Sequence, residues 1–267
     1  FILTLYEKRV DAGDLPFFLG LTEHLTAKGF PCPLPVRGRD GEAVRPLSGR
    51  PAALITFLEG VSVHDGAPDQ CRQVGEVLAR LHTLAADFKL TRTNSLGPDA
   101  WAPFFSPLAE RADDVAPGLK ADITAELDWL CNNRPSALPA GIIHADLFPD
   151  NVFFLNGRLA GVIDFYFACH DALVFDIAVA VNAWCFDADD RFIEERCTAV
   201  LEGYEAVRPL DPREHAALAF YCRGTALRFL LTRLHDWIHH VPGSLVAPKD
   251  PRQFLARLHH HRQTPFS

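Results

Sequence analysis

The chain has 267 residues, of which 48% are hydrophobic and 22% charged, and its net charge is −8. These values exclude a disordered chain and fit one large domain or two modest ones. The negative charge argues against general binding to nucleic-acid phosphates, and no apolar run reaches the roughly 18 residues of a membrane-spanning helix. Seven scattered cysteines without a C-x-x-C pair are typical of reduced thiols in a cytoplasmic protein.

The first sixty residues predict a small, strand-rich unit. The apolar alternation in FILTLYEKR indicates a strand already under way at residue 1, and the chain contains no methionine, so we expect the natural N-terminus to lie upstream. Apolar spacing predicts a helix over residues 14–29 that ends at Gly29. The run PAALITFLEG predicts a strand that ends at Gly60.

A larger and mainly helical unit is predicted after residue 60. Helical spacing and capping residues predict three helices, over residues 69–88, 119–133 and 211–240. Residues 141–165 return to strand spacing, with a hairpin turn at Asn156-Gly157. From Asp176 onward the chain is expected to be helical again.

The change of periodicity near residues 58–62 predicts a hinge between two domains, 1–60 and 61–267. The closing HHHRQTPFS predicts a frayed polar tail, and a fortuitous metal binder is the alternative.

Acidic and amide side chains follow the predicted strand GIIHAD. His144, Asp146 and Asn151 lie on the loop HADLFPDN, and Asp164 ends the second strand of the next hairpin. Because the hairpin returns the chain, all four can meet at one point. A carboxylate free to accept a proton, beside an amide oxygen and a second carboxylate able to hold a hard cation, is what phosphoryl transfer from Mg-ATP requires. The joint pattern favours this chemistry over the alternative, an acidic turn followed by an ordinary hairpin.

The segments FILTLYEKR, HADLFPDNVFF, IDFYFAC and RFLLTRLHDW resemble the aminoglycoside phosphotransferase and choline kinase superfamily, relatives of protein kinases, and within it the bacterial homoserine kinases. The resemblance spans essentially the whole chain, and H-x-D-x-x-x-x-N is its most specific part. It implies an α+β, protein-kinase-like fold of two lobes: an incomplete, small β-rich N-lobe and a larger, mainly helical C-lobe with a β-hairpin insert.

The same resemblance implies an activity. It is the ATP-dependent phosphorylation of L-homoserine with Mg²⁺, a step of threonine biosynthesis. The alternatives are a kinase for choline, an aminoglycoside or another small hydroxyl compound, and a non-catalytic nucleotide-binding protein.

The resemblance also implies roles for the loop residues. Asp146 is the catalytic base, Asn151 and Asp164 hold Mg²⁺, and His144 braces the loop. Two interpretations remain for Asp176, which either supports the catalytic loop by accepting backbone N–H bonds or is a plain helix N-cap.

The nucleotide is expected under the hinge, against Phe57, Leu58 and Glu59, for which an ordinary strand end is the alternative. Thr4 departs from the pattern, since such kinases usually carry a basic residue at this position. The hairpin that covers the phosphates would precede residue 1. We therefore expect the intact gene product to be active and the chain from residue 1 alone to be weak or inactive.

Homoserine offers a carboxylate, an ammonium group and a hydroxyl, so its site needs an arginine fork and an acceptor for the amine. The helix CRGTALRFLLTRLHDWIHH presents Arg228, Arg233 and Asp236 on its polar arc or at its edge, and Tyr166 could form a wall. The alternative is a solvated helix face and a hydrophobic spacer. Arg223 falls within the apolar arc, so we expect it to have a buried acidic partner.

Overall fold

The computed structural model describes residues 1–6, 11–241, 243 and 247–264. Its strands are β1 (Ile2–Leu5), β2 (Val44–Leu47), β3 (Arg50–Ile55), β4 (Ala140–Ile143), β5 (Val152–Leu155), β6 (Arg158–Val162) and β7 (Cys169–Ala172). Its α-helices are α1 (Leu15–Ala27), α2 (Pro68–Leu84), α3 (Pro98–Phe105), α4 (Leu119–Asn132), α5 (Leu173–Trp184), α6 (Glu194–Glu205), α7 (Pro212–Ile238) and α8 (Arg252–Gln263).

A three-stranded antiparallel sheet of order β1-β3-β2 forms the N-terminal part, and α1 packs its apolar side inward. Ile2 lies opposite Ile55, which fixes the register of β1 on β3. After α1, Gly29 adopts a φ of +76°, a left-handed conformation that glycine reaches without strain. The predicted helix and its end at Gly29 are confirmed.

Helix α2 lies at the centre of the helical part, in close contact with α6. The two backbones approach so closely that a Cβ on Gly75 would lie 2.0 Å from the carbonyl oxygen of Val200. A Cβ on Gly203 would similarly lie 2.1 Å from the carbonyl oxygen of Arg72. These two glycines allow α2 and α6 to pack closely. The close packing fixes the position of α2 and of the buried residues near its C-terminal end.

Two small antiparallel sheets, β4-β7 and β5-β6, sit among the helices. The predicted hairpin turn is confirmed, since Asn156 and Gly157 have φ values of 51° and 76°, as a two-residue hairpin turn requires. The loop after β4 and the residues after β6 are neighbours, because the Ile163 N–H donates to the Asn151 carbonyl at 2.9 Å. The fold therefore brings the two acidic segments together.

Helix α7 begins at the predicted capping box, where Asp211 and Glu214 bond each other's backbone N–H groups. Further along, Arg223 forms a two-pronged ion pair with buried Glu126 of α4, at 2.7 and 2.8 Å. The expectation of a buried acidic partner is confirmed. Arg262 of α8 donates to the same carboxylate at 2.6 Å, so one acid joins three helices.

The predicted frayed tail is wrong for residues 259–263, which belong to α8, while residues 265–267 lie outside the described residues. Phe254, Leu258 and His261 recur at helical spacing and are buried. Two of the consecutive histidines also make specific contacts, His259 with Asp122 and His261 with Asn182. Among the described residues, no group of three His, Cys, Asp or Glu side chains is arranged to hold a metal ion.

Two further features complete the description. Helix α5 begins at Leu173, three residues before the predicted start. No helix within the described ranges is long and apolar enough to cross a membrane. The division into domains 1–60 and 61–267 stays a prediction.

Candidate active site

Asp146 lies on the loop between β4 and β5, and its side chain is 20% exposed. The Asn151 side-chain amide donates to the Asp146 carbonyl at 2.8 Å and to its Oδ2 at 3.3 Å. The Phe148 N–H donates to the same carbonyl at 2.8 Å. These bonds fold the loop into a compact turn and orient a carboxylate that solvent still reaches, as a general base requires.

His144 connects this loop to the end of the following hairpin. Its Nε2 donates to the Ile163 carbonyl at 3.0 Å, and its Nδ1 accepts the Asp146 N–H at 3.2 Å. The ring is buried, 4.9 Å from the ring of Phe165. The imidazole thus fixes the distance between the Asp146 segment and the Asp164 segment.

Asp176 supports the loop from below. Its fully buried carboxylate accepts the backbone N–H groups of His144 at 2.6 Å and Ala145 at 2.7 Å, and His82 Nε2 lies 3.1 Å away. Burial alone would raise the pKa of Asp176, but the hydrogen bond and charge of His82 and the bond from the His144 backbone lower it. Since Ala172 is the N-cap of α5, Asp176 is not an N-cap.

Two residues of the site adopt left-handed backbone conformations. Ala145 has a φ of 62° and Asp164 a φ of 64°. Residues other than glycine rarely occupy this region, and where they do the surrounding structure holds them there. The bond from Ala145 to Asp176 is one such restraint, so the loop conformation is imposed by its neighbours.

Asp164 and Asn151 present the oxygen atoms suited to a hard cation. Burial, followed by the nearby charge of Asp146, raises the pKa of Asp164, while His144 acts in the opposite direction. Both hydrogen bonds of the Asn151 amide nitrogen go to Asp146, so Oδ1 is the side-chain atom of Asn151 that could hold a cation. Mg²⁺ typically takes one or two protein carboxylates and completes its shell with phosphates and waters, so these residues fit it.

A cavity of about 270 Å³ opens beside Asp164, between the N-terminal sheet and the β5-β6 hairpin. It is lined by Ile2, Thr4, Phe18, Leu19, Thr22, Pro33, Ile55, Thr56, Leu58, Phe153, Ile163, Asp164, Phe165 and Tyr166. Of the three predicted hinge residues, Leu58 lines the cavity, whereas the Phe57 side chain is 62% exposed and Glu59 is exposed. The apolar walls with one carboxylate at the edge suit a nucleobase close to a phosphate-bound cation.

Arg228 lies against the loop that carries Asp146. It is 3% exposed, and its Nη1 donates to the Ala145 carbonyl at 3.0 Å and lies 3.6 Å from Asp146 Oδ1. Its guanidinium carbon lies over the ring of Phe229, 3.9 Å from the ring centroid, and over the ring of Phe167, 5.3 Å from the ring centroid. The interpretation of this part of α7 as a solvated face is wrong for Arg228.

Arg233 and Asp236 lie elsewhere on α7. Arg233 Nη1 donates to the Asp250 carbonyl at 3.2 Å and to Gln253 Oε1 at 2.6 Å, which ties α7 to α8. Asp236 is half-exposed beside His235, about 12 Å along the helix axis from Arg228. Within the described ranges, therefore, Arg228 is the predicted substrate residue that contacts the loop of Asp146.

Tyr166 and its neighbour Phe167 face different surroundings. Tyr166 lines the cavity, and its hydroxyl donates to that of Tyr6 at 3.4 Å. Burial is the main cause of a raised Tyr166 pKa. Tyr166 thus forms a wall on the cavity side, while Phe167 packs on Arg228.

Sequence reasoning missed His82, which contacts the supporting carboxylate of Asp176. His82 Nδ1 lies 2.7 Å from the Tyr204 hydroxyl, which accepts a hydrogen bond from Arg208 at 3.0 Å, and Arg208 pairs with Glu214 at 3.0 Å. This series of contacts connects Asp176, which holds the loop of Asp146, to the start of α7. Its signal in the sequence is a histidine one turn after Leu78 on the buried stripe of α2.

Comparisons with solved structures place the fold among small-molecule kinases. A microcompartment-associated aminopropanol kinase has a TM-score of 0.69 at 17% identity, covering 98% of this chain and 84% of that one. An aminoglycoside phosphotransferase from Alicyclobacillus acidocaldarius has a TM-score of 0.66 at 17% identity, covering 98% and 83%. The predicted α+β, kinase-like fold is confirmed.

Sequence comparisons give much closer relatives. The homoserine kinase of Methylobacterium radiotolerans is 55% identical, and the alignment covers 98% of this chain and 82% of that protein. The homoserine kinase of Rhodospirillum rubrum is 54% identical, with 98% and 81% covered. The model of the phosphotransferase enzyme family matches residues 1–210. The chain therefore belongs to the phosphotransferase enzyme family, among relatives that are homoserine kinases.

Proposed function

We propose that the protein transfers the γ-phosphoryl group of ATP to the hydroxyl of L-homoserine. The observation that carries the proposal is the Asp146 carboxylate, held in one orientation beside Asp164 and the apolar cavity. The choice of homoserine as acceptor rests on relatives of 54–55% identity along almost the whole chain.

In the proposed reaction Asp146 accepts the proton of the substrate hydroxyl as the oxygen attacks the γ-phosphorus. The new O–P bond forms while the bond to the β-phosphate oxygen breaks, and ADP leaves. Asn151 keeps the carboxylate aimed at the hydroxyl through its bond to Oδ2. Asn151 Oδ1 and Asp164 would hold Mg²⁺, which when bound neutralises the charge that develops on the phosphates.

The nucleotide base is proposed to occupy the apolar cavity. Leu58 and Phe153 form its walls, and Asp164 marks the side on which the phosphates would lie. The backbone of Phe57 and Glu59 would supply the polar contacts to the base, a role that does not require their side chains to point inward.

The test is a coupled assay of ADP release with the intact gene product, including any sequence that precedes Phe1. Homoserine, choline and an aminoglycoside are offered in parallel with Mg-ATP. We expect homoserine-dependent ADP release and a phosphorylated product with the mass of O-phosphohomoserine. Phosphorylation of choline or the aminoglycoside, but not of homoserine, would contradict the proposed acceptor. Binding of Mg-ATP without phosphorylation of any of the three would contradict the proposal that the protein is a catalyst.

A further inference from the structure

We propose that Arg228 is a positioning residue that orients the catalytic base Asp146, and that it does not bind the substrate carboxylate; this rests on the proposed function. Its Nη1 reaches two consecutive residues of the loop, the carbonyl of Ala145 and the carboxylate of Asp146. One rigid cation thus controls both the backbone before the base and the base itself.

The two oxygens of the Asp146 carboxylate are contacted by different residues. Oδ1 lies 3.6 Å from Arg228, and Oδ2 accepts from Asn151 at 3.3 Å. Since Ala145 is in a left-handed conformation, the bond from Arg228 to its carbonyl also helps to hold a strained peptide in place. Without this bond we expect the base to rotate away from the attacking hydroxyl.

The guanidinium itself has little freedom. It lies over the rings of Phe229 and Phe167, and contact with two aromatic faces restricts the movement of a planar cation. Its Nε is buried and, among the described residues and their atoms, has no hydrogen-bond partner. Such burial is costly for a cation, so the nearby Asp146 charge is its natural compensation.

The same burial argues against recognition of the substrate. A carboxylate is bound best by two parallel N–H groups of an arginine that faces the ligand. Arg228 is 3% exposed, its Nη1 is already bonded to Ala145, and its Nε is inaccessible. A carboxylate arriving from solvent would meet the loop before it met this guanidinium.

The experiment compares two alcohols in the intact gene product. They are L-homoserine and 3-aminopropan-1-ol, which is homoserine without its carboxylate. For Arg228→Met we expect kcat to fall about 100-fold with both alcohols, since a displacement of about 1 Å in a catalytic group has a cost of this size. The wild-type preference for homoserine should remain, and Arg228→Lys should recover part of kcat by donating one hydrogen bond to Ala145.

Arg213→Met, which removes an exposed arginine from the first turn of the same helix, is the matched control and should leave kcat unchanged. Melting temperature and Mg-ATP binding show that each variant is folded. The proposal is overturned if the Arg228 variants keep kcat and raise KM for homoserine, or if the preference over 3-aminopropan-1-ol collapses. If the wild type does not phosphorylate homoserine, it is the proposed function that has failed.

Discussion

The carboxylate of Asp146 is contacted by residues from distant parts of the sequence. Asn151 comes from the same loop, Arg228 from α7, and the peptide before the base is held by Asp176 of α5. If Asp146 is the base, as proposed, a change at any of these supporting residues should affect turnover more than nucleotide binding.

Replacing Asp146 by asparagine should remove the base while keeping its size. We expect Asp146→Asn to lower kcat by about 100- to 10,000-fold, the usual contribution of general-base catalysis, with a melting temperature close to that of wild type. The coupled assay and thermal unfolding measure the two effects. Asp150→Asn is the control, because Asp150 lies on the same loop, exposed beside Lys249; an equal loss in both variants would speak against a special role for Asp146.

Among the secondary-structure elements, the turns and helix ends that depend on a few adjacent residues are predictable from the sequence. The Asn156-Gly157 turn, the end of α1 at Gly29 and the capping box of α7 depend on a few adjacent residues, and all three are present. The sequence does not predict helix α8, because its many histidines and arginines favour a solvated tail. Its buried face is set by packing against α7, which a local pattern does not reveal.

That omission explains why the sequence does not predict the partner of Arg233 on α7. Because the sequence does not predict α8, it offers no partner for Arg233. In the structure Arg233 donates to Gln253 and packs on Phe254, and both residues belong to α8. Arg228 was recognised as a candidate for the site, but its burial beneath the loop depends on Phe167 and Phe229, whose approach is a tertiary feature. The sequence therefore predicts which arginines are candidates for the site, but it does not predict which direction their side chains take.

The docking of α8 should make stability depend on pH. Burial lowers the pKa of His261 to about 3, from an ordinary value near 6.5. Below pH 6.5 the unfolded chain binds a proton that the folded protein does not, so folding is progressively weakened as the pH falls from 6.5 towards 3. We expect this residue alone to reduce the free energy of unfolding by about 2 kcal/mol between pH 7 and 5.

Denaturant unfolding of wild type and His261→Gln at both pH values tests this effect. The glutamine amide can still donate to Asn182 Oδ1, the present partner of His261 Nε2 at 3.1 Å, but it does not titrate. Wild type should lose more stability than the variant on acidification, whereas exposed His215→Gln should behave as wild type. An identical loss in wild type and His261→Gln would rule the effect out.

On the scale of the whole molecule, the cavity lies between the N-terminal sheet and the segment that carries Asp164. Ile55 of β3 and Leu58, which follows β3, line the same space as Ile163 after β6, although Ile163 is far from them in sequence. The kinase-like fold was predictable because one short motif, H-x-D-x-x-x-x-N, is specific to it. The shape of the cavity was not, since it arises only where the two parts of the chain meet.

Filling this cavity should separate nucleotide binding from acceptor binding. We expect Leu58→Trp to weaken Mg-ATP binding at least about tenfold, and therefore to reduce the rise in melting temperature that a bound ligand produces. KM for homoserine should change little. Calorimetric titration and thermal unfolding measure the effect, with Leu155→Trp, an exposed leucine of the β5-β6 hairpin, as the control. Unchanged ATP affinity in Leu58→Trp would place the nucleotide elsewhere.

The backbone conformation at Ala145 has a consequence for how the sequence can vary. At a φ of 62° a β-branched side chain is strongly disfavoured, while glycine relieves strain and loosens the chain on both sides. A randomised library at this position, selected for growth that depends on the enzyme, should return a narrow set of small residues. The same library sorted for heat resistance alone should enrich glycine, including clones that turn over slowly. Selection for thermal stability and selection for catalytic rate would then favour different residues at position 145.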